Sequence, residues 1–461
     1  MLIRIEVENF KSFDERVELA TIPSKRPRKH LHLDHIIEVG GLRALKFIAM
    51  YGANASGKTN FVDFFRFFKT TLINGLPADA ERFFCKNRRE NEKRGSLFEI
   101  QFEVKGKFYA YGFEVILAER KILHEWLYEL FVDKEPLIVF ERKIDNLRNV
   151  VETSLSLPPD EDVRFKTYSN DFAETFDSLF LAEMNHNKIF GGTSSFKVFN
   201  ETFQWLLKNI VVFSPNESVV DLRVYYDESA KSIINEILPT FDAGATEILV
   251  KDVSLAEFKR AVPEEILNDF LEKARKEMKL LKASAVNCSV RSGNNLFNFK
   301  VNNSNSEPQD LTTLVFKHGK SFFELPFKDE SDGTKRLFDL FGVLFSGSGD
   351  AVFIFDELDR SLHPMITRRF LELFNERYRD KNVQLLFTTH EAELMTYDLF
   401  RRDEIWFVER GADNGSFVYP LSLFKNLSSE NVVADYLDGR FGAVPVLKKY
   451  SFKSREEDGS N

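Results

Sequence analysis

Eight consecutive residues, Gly52-Ala-Asn-Ala-Ser-Gly57-Lys58-Thr59, carry the clearest chemistry in the chain. Glycines at both ends of the run let backbone N–H groups wrap an anion, and a helix opening there adds the positive end of its dipole. In this Walker A pattern Gly52, Asn54, Ala55, Ser56, Gly57 and Asn60 would form the phosphate cradle. Lys58 would reach the β- and γ-phosphates of ATP, and Thr59 would hold Mg²⁺. A second pattern lies about 300 residues later, where the apolar run Ala351-Val-Phe-Ile-Phe355 ends in Asp356-Glu357. This Walker B arrangement gives Asp356 the second Mg²⁺ contact, through water, and Glu357 the task of orienting or deprotonating the attacking water. An apolar strand that ends in an acid is weak evidence alone; joined to Walker A it is strong.

Chemistry of this kind needs strands that stop at the phosphates. Leu45-Lys-Phe-Ile-Ala-Met-Tyr51 reads as a buried strand feeding the glycine turn, and Phe61, Phe64, Phe65 and Phe68 then mark one face of a helix at i, i+3, i+4, i+7. A helix over 332–345, a strand at 351–355, a helix at 365–380 and a strand at 383–388 continue the α/β alternation. Residues 98–104 and 108–115 alternate about Lys105-Gly106 and predict a hairpin, followed by strands at 123–132 and 136–142. From about 158 to 285 the period is mostly helical, with a stripe of Ile266, Leu267, Phe270, Ala274 and Met278. Residues 284–309 are rich in Asn and Ser and read as loops flanking one short strand, with a further hairpin over 314–325.

Composition sets the outer bounds. With 461 residues, an apolar fraction of 43% and 48 phenylalanines, the chain has ample core for one large or two intermediate domains. Its net charge of −9 disfavours a surface that binds polyanions throughout. Cys85 and Cys288 cannot build a stapled secreted fold, the first residues do not read as a signal peptide, and no apolar stretch is long enough to cross a bilayer. A cytoplasmic protein is expected.

Three further segments complete an ordered set: Asp329-Glu-Ser331-Asp-Gly333-Thr-Lys-Arg-Leu337 ahead of Walker B, Leu358-Asp359-Arg-Ser-Leu-His-Pro364 after it, and Thr388-Thr-His390 beyond. Ser331 is a natural helix N-cap, and Gly333 allows close backbone approach. In this order, and with Asp438-Gly-Arg-Phe-Gly-Ala-Val-Pro-Val-Leu447 near the end, the chain resembles ABC-class ATPases of the SMC, RecF and OLD group. More closely it resembles the AAA-type ATP-binding proteins of bacterial phage defence, such as RloA- and AbiL-like proteins and the Septu and PARIS ATPases. The matching motifs cover the first sixty and last hundred and thirty residues.

That resemblance implies an α/β fold of the ABC-type ATPase-head kind: a mixed β core with flanking helices, an antiparallel β subdomain and a helical insertion. The expected division is 1–157 for the Walker A lobe with the antiparallel subdomain, 158–310 for a mainly helical insertion, 311–453 for the second ATPase lobe and 454–461 for a polar tail. It also implies that ATP is sandwiched between two protomers. Ser331 and Gly333 would then touch a γ-phosphate across the interface, Asp359 would lie in the D-loop, and His390 would sense the γ-phosphate beside Glu357. A homodimer or higher oligomer follows, and with it an Mg²⁺-dependent ATPase that controls a separately encoded effector in antiviral defence. Only 71 residues follow His390, too few for the Toprim nuclease of OLD proteins, so such a nuclease would be another chain. The alternatives are a RecF-like repair ATPase that clamps DNA, and a scaffold that binds ATP with negligible hydrolysis. Nucleic acid stays open as a partner that the charge does not indicate.

Some features depart from the pattern or stand outside it. Glu330-Ser331 replaces the Leu-Ser of transporter subunits, and no Q-loop is evident, since Gln101 alternates within a predicted strand. His30, His32 and His35 form an H-x-H-x-x-H run that could take Zn²⁺, although a solvated loop is the simpler reading. Lys25, Arg26, Arg28 and Lys29 read as a solvated basic loop in the same way.

Overall fold

The computed structural model describes residues 1–24, 32–186, 188, 190–213, 222–281, 284–292, 295–302, 307–346, 349–424 and 431–445. The basic cluster at 25–29, His30, the last two residues of the 438–447 motif and the tail lie outside these. In chain order the first elements are β1 (Leu2–Glu8), β2 (Val17–Ala20), β3 (Ile36–Val39), β4 (Leu42–Leu45), β5 (Phe47–Tyr51) and α1 (Lys58–Asn74). An antiparallel meander follows: β6 (Ser96–Val104), β7 (Lys107–Ile116), β8 (Lys121–Leu130), β9 (Leu137–Asp145) and β10 (Arg148–Glu152). Together with β1 and β2 it forms a seven-stranded sheet in the order β10-β9-β8-β7-β6-β1-β2. The β6–β7 turn falls at Lys105-Gly106, both with positive φ (53° and 81°), as a tight hairpin turn requires.

Next come α2 (Pro159–Asp171), α3 (Phe180–Glu183), α4 (Lys197–Lys208), β11 (Ile210–Phe213), α5 (Glu228–Ile237), β12 (Glu247–Asp252), α6 (Leu255–Ala261) and α7 (Glu264–Leu281). The chain continues with β13 (Ala285–Ser292), β14 (Asn295–Asn302), β15 (Gln309–Lys317), β16 (Leu325–Pro326), α8 (Asp332–Leu344), β17 (Asp350–Phe355), α9 (Pro364–Arg377) and β18 (Asn382–Thr388). It closes with β19 (Ile405–Arg410), β20 (Ser416–Pro420) and α10 (Val432–Leu437). The core sheet runs β11-β17-β18-β5-β19-β20, parallel except for the last pair. Strands β5, β17 and β18 are buried on both faces, and their largely apolar sequences reflect that, the buried Gln384 of β18 being satisfied by the backbone of Leu2 and Leu45. Against one face lie Phe61, Phe64, Phe65 and Phe68 of α1, which also meet Phe98 and Phe113 of the antiparallel sheet. Against the other lie Leu337, Phe338 and Phe341 of α8 and Phe370 and Phe374 of α9. The mixed α/β architecture is the one expected. No helix of the described residues is long and apolar enough to cross a membrane.

The middle of the chain differs from the expectation of one helical insertion. Its first part belongs to the core, because β11 pairs in parallel with β17 through Ile210–Phe213 and Val352–Phe355. The second part builds an outer unit, a sheet of β12, β15, β14 and β13 with β16 on β15, and a boundary at 310 would cut through β15. In place of loops around one strand, β13 and β14 pair antiparallel along their whole length. Asn and Ser interspersed along both strands give them loop-like composition, while Phe297, Phe299 and Val301 keep the period of two on the face towards α7. Helix α7 covers that face with Leu267, Leu271, Ala274 and Met278. Ile266, placed in the stripe from the sequence, is instead 39% exposed.

Candidate functional site

Five segments meet where β5, β17 and β18 end. Their convergence opens a cleft of about 500 Å³ lined by Ser12, Asn54 to Asn60, Asp356, Glu357, His390 and Arg410. The loop after β5 is shaped by two close approaches. A Cβ on Gly52 would lie 2.3 Å from the Val408 carbonyl oxygen, and one on Gly57 would lie 2.7 Å from both the Ser12 and Ser416 hydroxyls. Gly57 also has φ of 114° as the residue ahead of α1, a backbone that side chains resist. Ala55 too takes a positive φ, 61°. Ser416 Oγ donates to the Ser56 carbonyl at 2.5 Å, tying the loop to β20.

Lys58 is buried, and its ammonium donates to the carbonyls of Gly52 at 2.6 Å and Ala53 at 3.1 Å. Burial pushes its pKa down to about 8, against the pull of Asp356, Glu357 and Asp359. Asp356 is held from two sides, since Thr388 Oγ1 donates to its Oδ1 at 2.8 Å and Thr59 Oγ1 at 3.4 Å. Glu357 has a φ of 51°, with its N–H on Thr388 Oγ1 (2.8 Å) and its carbonyl on Arg336 Nη2 (2.9 Å). Its half-exposed carboxylate faces His390 Nε2 at 3.8 Å. The His390 amide points to Asp359 Oδ2 at 3.4 Å.

The cleft fits a polyphosphate and a hard divalent cation. Ser56 Oγ and Asp359 Oδ1 are buried without hydrogen-bond partners among the described residues. Lys58 has only carbonyls to satisfy it, and adding anionic oxygens would relieve its burial. Thr59 and Asp356 offer the oxygen ligands that Mg²⁺ prefers.

Two of the sequence-derived residues, Ser331 and Gly333, stand apart from the cleft. Ser331 caps α8, its Oγ accepting from the Thr334 N–H at 3.1 Å, and it is exposed. At Gly333 a Cβ would sit 2.9 Å from the Ser361 carbonyl oxygen, so α8 packs directly on the loop after Walker B. Asp359 reaches the site through the His390 backbone. Gln101 lies on β6 with its amide on Glu99, as a strand residue. Arg336, buried over the Phe355 ring at 5.3 Å, joins α8 to the Glu357 backbone.

Ser12 and Arg410 were not marked from the sequence. Ser12 sits in a tight turn closed by Phe10 N–H to Phe13 O at 2.9 Å and Phe13 N–H to Phe10 O at 2.8 Å, and its hydroxyl accepts from Asn60 Nδ2 at 2.7 Å. The two flanking phenylalanines are fully buried, which leaves the serine facing the phosphate loop. Arg410 ends β19, where no local pattern sets it apart from other strand-terminal cations.

Comparison with known proteins adds the family. No curated protein matches the sequence. Among solved structures, an SMC head bound to the C-winged helix domain of ScpA is 13% identical, covering 91% of this chain and 97% of that one with a TM-score of 0.38. The SMC head domain from Thermotoga maritima is also 13% identical, with coverages of 91% and 98% and a TM-score of 0.32. A family described as "AAA domain, putative AbiEii toxin, Type IV TA system" matches residues 47–396, from the first residue of β5 to just beyond His390, and the chain belongs to it.

Proposed function

We propose that the chain binds and hydrolyses ATP with Mg²⁺ and uses ATP-dependent assembly to control a separately encoded effector in bacterial antiviral defence. The observation that carries the catalytic part is the meeting of Lys58, Thr59, Asp356, Glu357 and His390 around one cleft, from segments about 300 residues apart. Bound Mg²⁺ supplies charge neutralisation on the phosphoryl oxygens. Lys58 binds the β- and γ-phosphates, and the 52–60 backbone orients them. Glu357 accepts the proton of the attacking water at its carboxylate, while His390 steadies that carboxylate and the terminal phosphate. The exposed N-terminus of α8, outside its own cleft, suits contact with the nucleotide of a second protomer, as in the sandwich expected of this class. The defence role is supported by the family's link to abortive infection and by the resemblance of the motifs. The RecF-like alternative needs a basic surface across the dimer, and a net charge of −9 does not favour it.

Light scattering on the chain co-expressed with its genomic neighbour tests the reading, with and without ATP, for wild type, Lys58→Ala and Glu357→Gln. A complex with the neighbour that ATP alters and Glu357→Gln traps is the expected result. A chain that ignores its neighbour and gains only a DNA-binding dimer on ATP would point to the RecF-like reading instead.

A further inference from the structure

A second polar cluster lies at the other end of β5, beside Phe47. His32, Asp34 and His35 each offer one ligand atom, and these atoms all lie within 4.8 Å of one another. The two imidazole rings stack at 4.8 Å. What distinguishes the cluster is the shell behind it. His35 is buried and its Nδ1 meets the fully buried carboxylate of Glu404 at 2.9 and 3.1 Å, which leaves Nε2 to ligate. His32 Nε2 meets the Tyr397 carbonyl at 2.8 Å, which leaves Nδ1. Asp34 Oδ2 accepts from Asn375 Nδ2 at 2.5 Å, and the Asn375 amide is itself oriented by Lys46 Nζ on its Oδ1 at 3.2 Å. Metal-bound histidines characteristically give their second ring nitrogen to a carboxylate or a backbone carbonyl, and metal-bound carboxylates are themselves hydrogen-bonded. All three residues already show that arrangement. A pocket of about 160 Å³ opens beside both histidines, with room for a water at a fourth position.

We infer that His32, Asp34 and His35 form a binding site for a first-row divalent metal ion, with zinc the best match, separate from the nucleotide cleft. Two imidazoles, one carboxylate and an open position suit tetrahedral Zn²⁺, and a small rotation of half-exposed His32 closes the group around an ion with bonds of about 2 Å. Among the described residues, Asp34 joins His32 and His35 of the H-x-H-x-x-H run in the site. The ion would staple the 32–35 turn to the segment from α9 to β19, because Asn375, Tyr397 and Glu404 hold its ligands.

Full-length protein freed of metal and nucleotide, titrated with Co²⁺ and then with Zn²⁺, tests this. One Co²⁺ per chain with the visible absorption of a tetrahedral site, displaced by Zn²⁺ with a rise in melting temperature, is expected. His32→Ala and Asp34→Asn should each weaken Zn²⁺ binding at least tenfold, with circular dichroism and ATP affinity unchanged. Asp356→Asn, which disarms the Mg²⁺ position of the cleft, should leave Zn²⁺ binding intact. No stoichiometric binding in wild type, equal affinity in both ligand variants, or loss in Asp356→Asn would overturn the assignment.

Discussion

The core sheet and the outer unit solve different problems with similar residues. Strands β5, β17 and β18 are covered on both faces, so only their ends meet solvent, and the polar residues that follow each strand are driven into one cleft. The outer sheet packs α7 on one face and sets Ile248, Leu296, Leu314 and Phe316 of the other against the core, so its polar residues are spread between these along the strands and converge on nothing. Position at a strand terminus, more than residue type, separates chemistry from solubility here.

Four changes would break or sharpen that contrast. The largest effect belongs to Glu357→Gln, expected to lower ATP turnover by about 10³-fold, within the range for loss of a general base. Its nucleotide affinity should stay within about twofold of wild type, so a turnover assay beside a binding titration checks both. Lys58→Ala comes next. Loss of two or more charge-assisted contacts costs roughly 3 kcal/mol, or about 10²-fold in ATP affinity, readable by calorimetric titration. A smaller, graded effect comes from pH. Free Lys58 titrates near 8 because of its burial, and phosphate binding favours its charged form. ATP affinity is therefore full below pH 8 and falls as pH rises, by up to about tenfold per unit until the bound form also titrates. The smallest effect on the cleft is expected from Phe299→Ala in the outer unit. It should destabilise that unit by about 3–5 kcal/mol in a denaturant melt and leave ATP affinity unchanged. A large loss of affinity there would show that the two regions are coupled.

What could be read from the sequence follows the same division. Walker A, Walker B and the Thr388–His390 end are contiguous runs in which an apolar strand hands over to polar residues, and the local order reveals them. Ser12 and Arg410 enter the cleft only through long-range strand pairing, so nothing near them in the chain announces it. The pairing of β13 with β14 is hidden because Asn and Ser are interspersed along both strands, and their turn composition masks the alternation of Phe297, Phe299 and Val301. Of the stripe on α7, Leu267, Ala274 and Met278 are buried as read and only Ile266 is exposed, since Ile266 and Leu267 are equally apolar and only the packed sheet chooses between them. Among the histidines, the spacing 30, 32, 35 suggested ligands, but the useful partner, Asp34, lay inside the run and its supporting shell came from residues 375 to 404.

Glu357 carries one more consequence. A non-glycine residue in the left-handed region costs about 1–2 kcal/mol, and here Thr388 and Arg336 hold the backbone in that state. Glycine would relax it, and asparagine would tolerate it better, yet neither supplies the carboxylate. Selection for heat resistance alone should therefore drift towards those residues at this position, and keeping glutamate through such a lineage would itself be a signature that turnover is being selected.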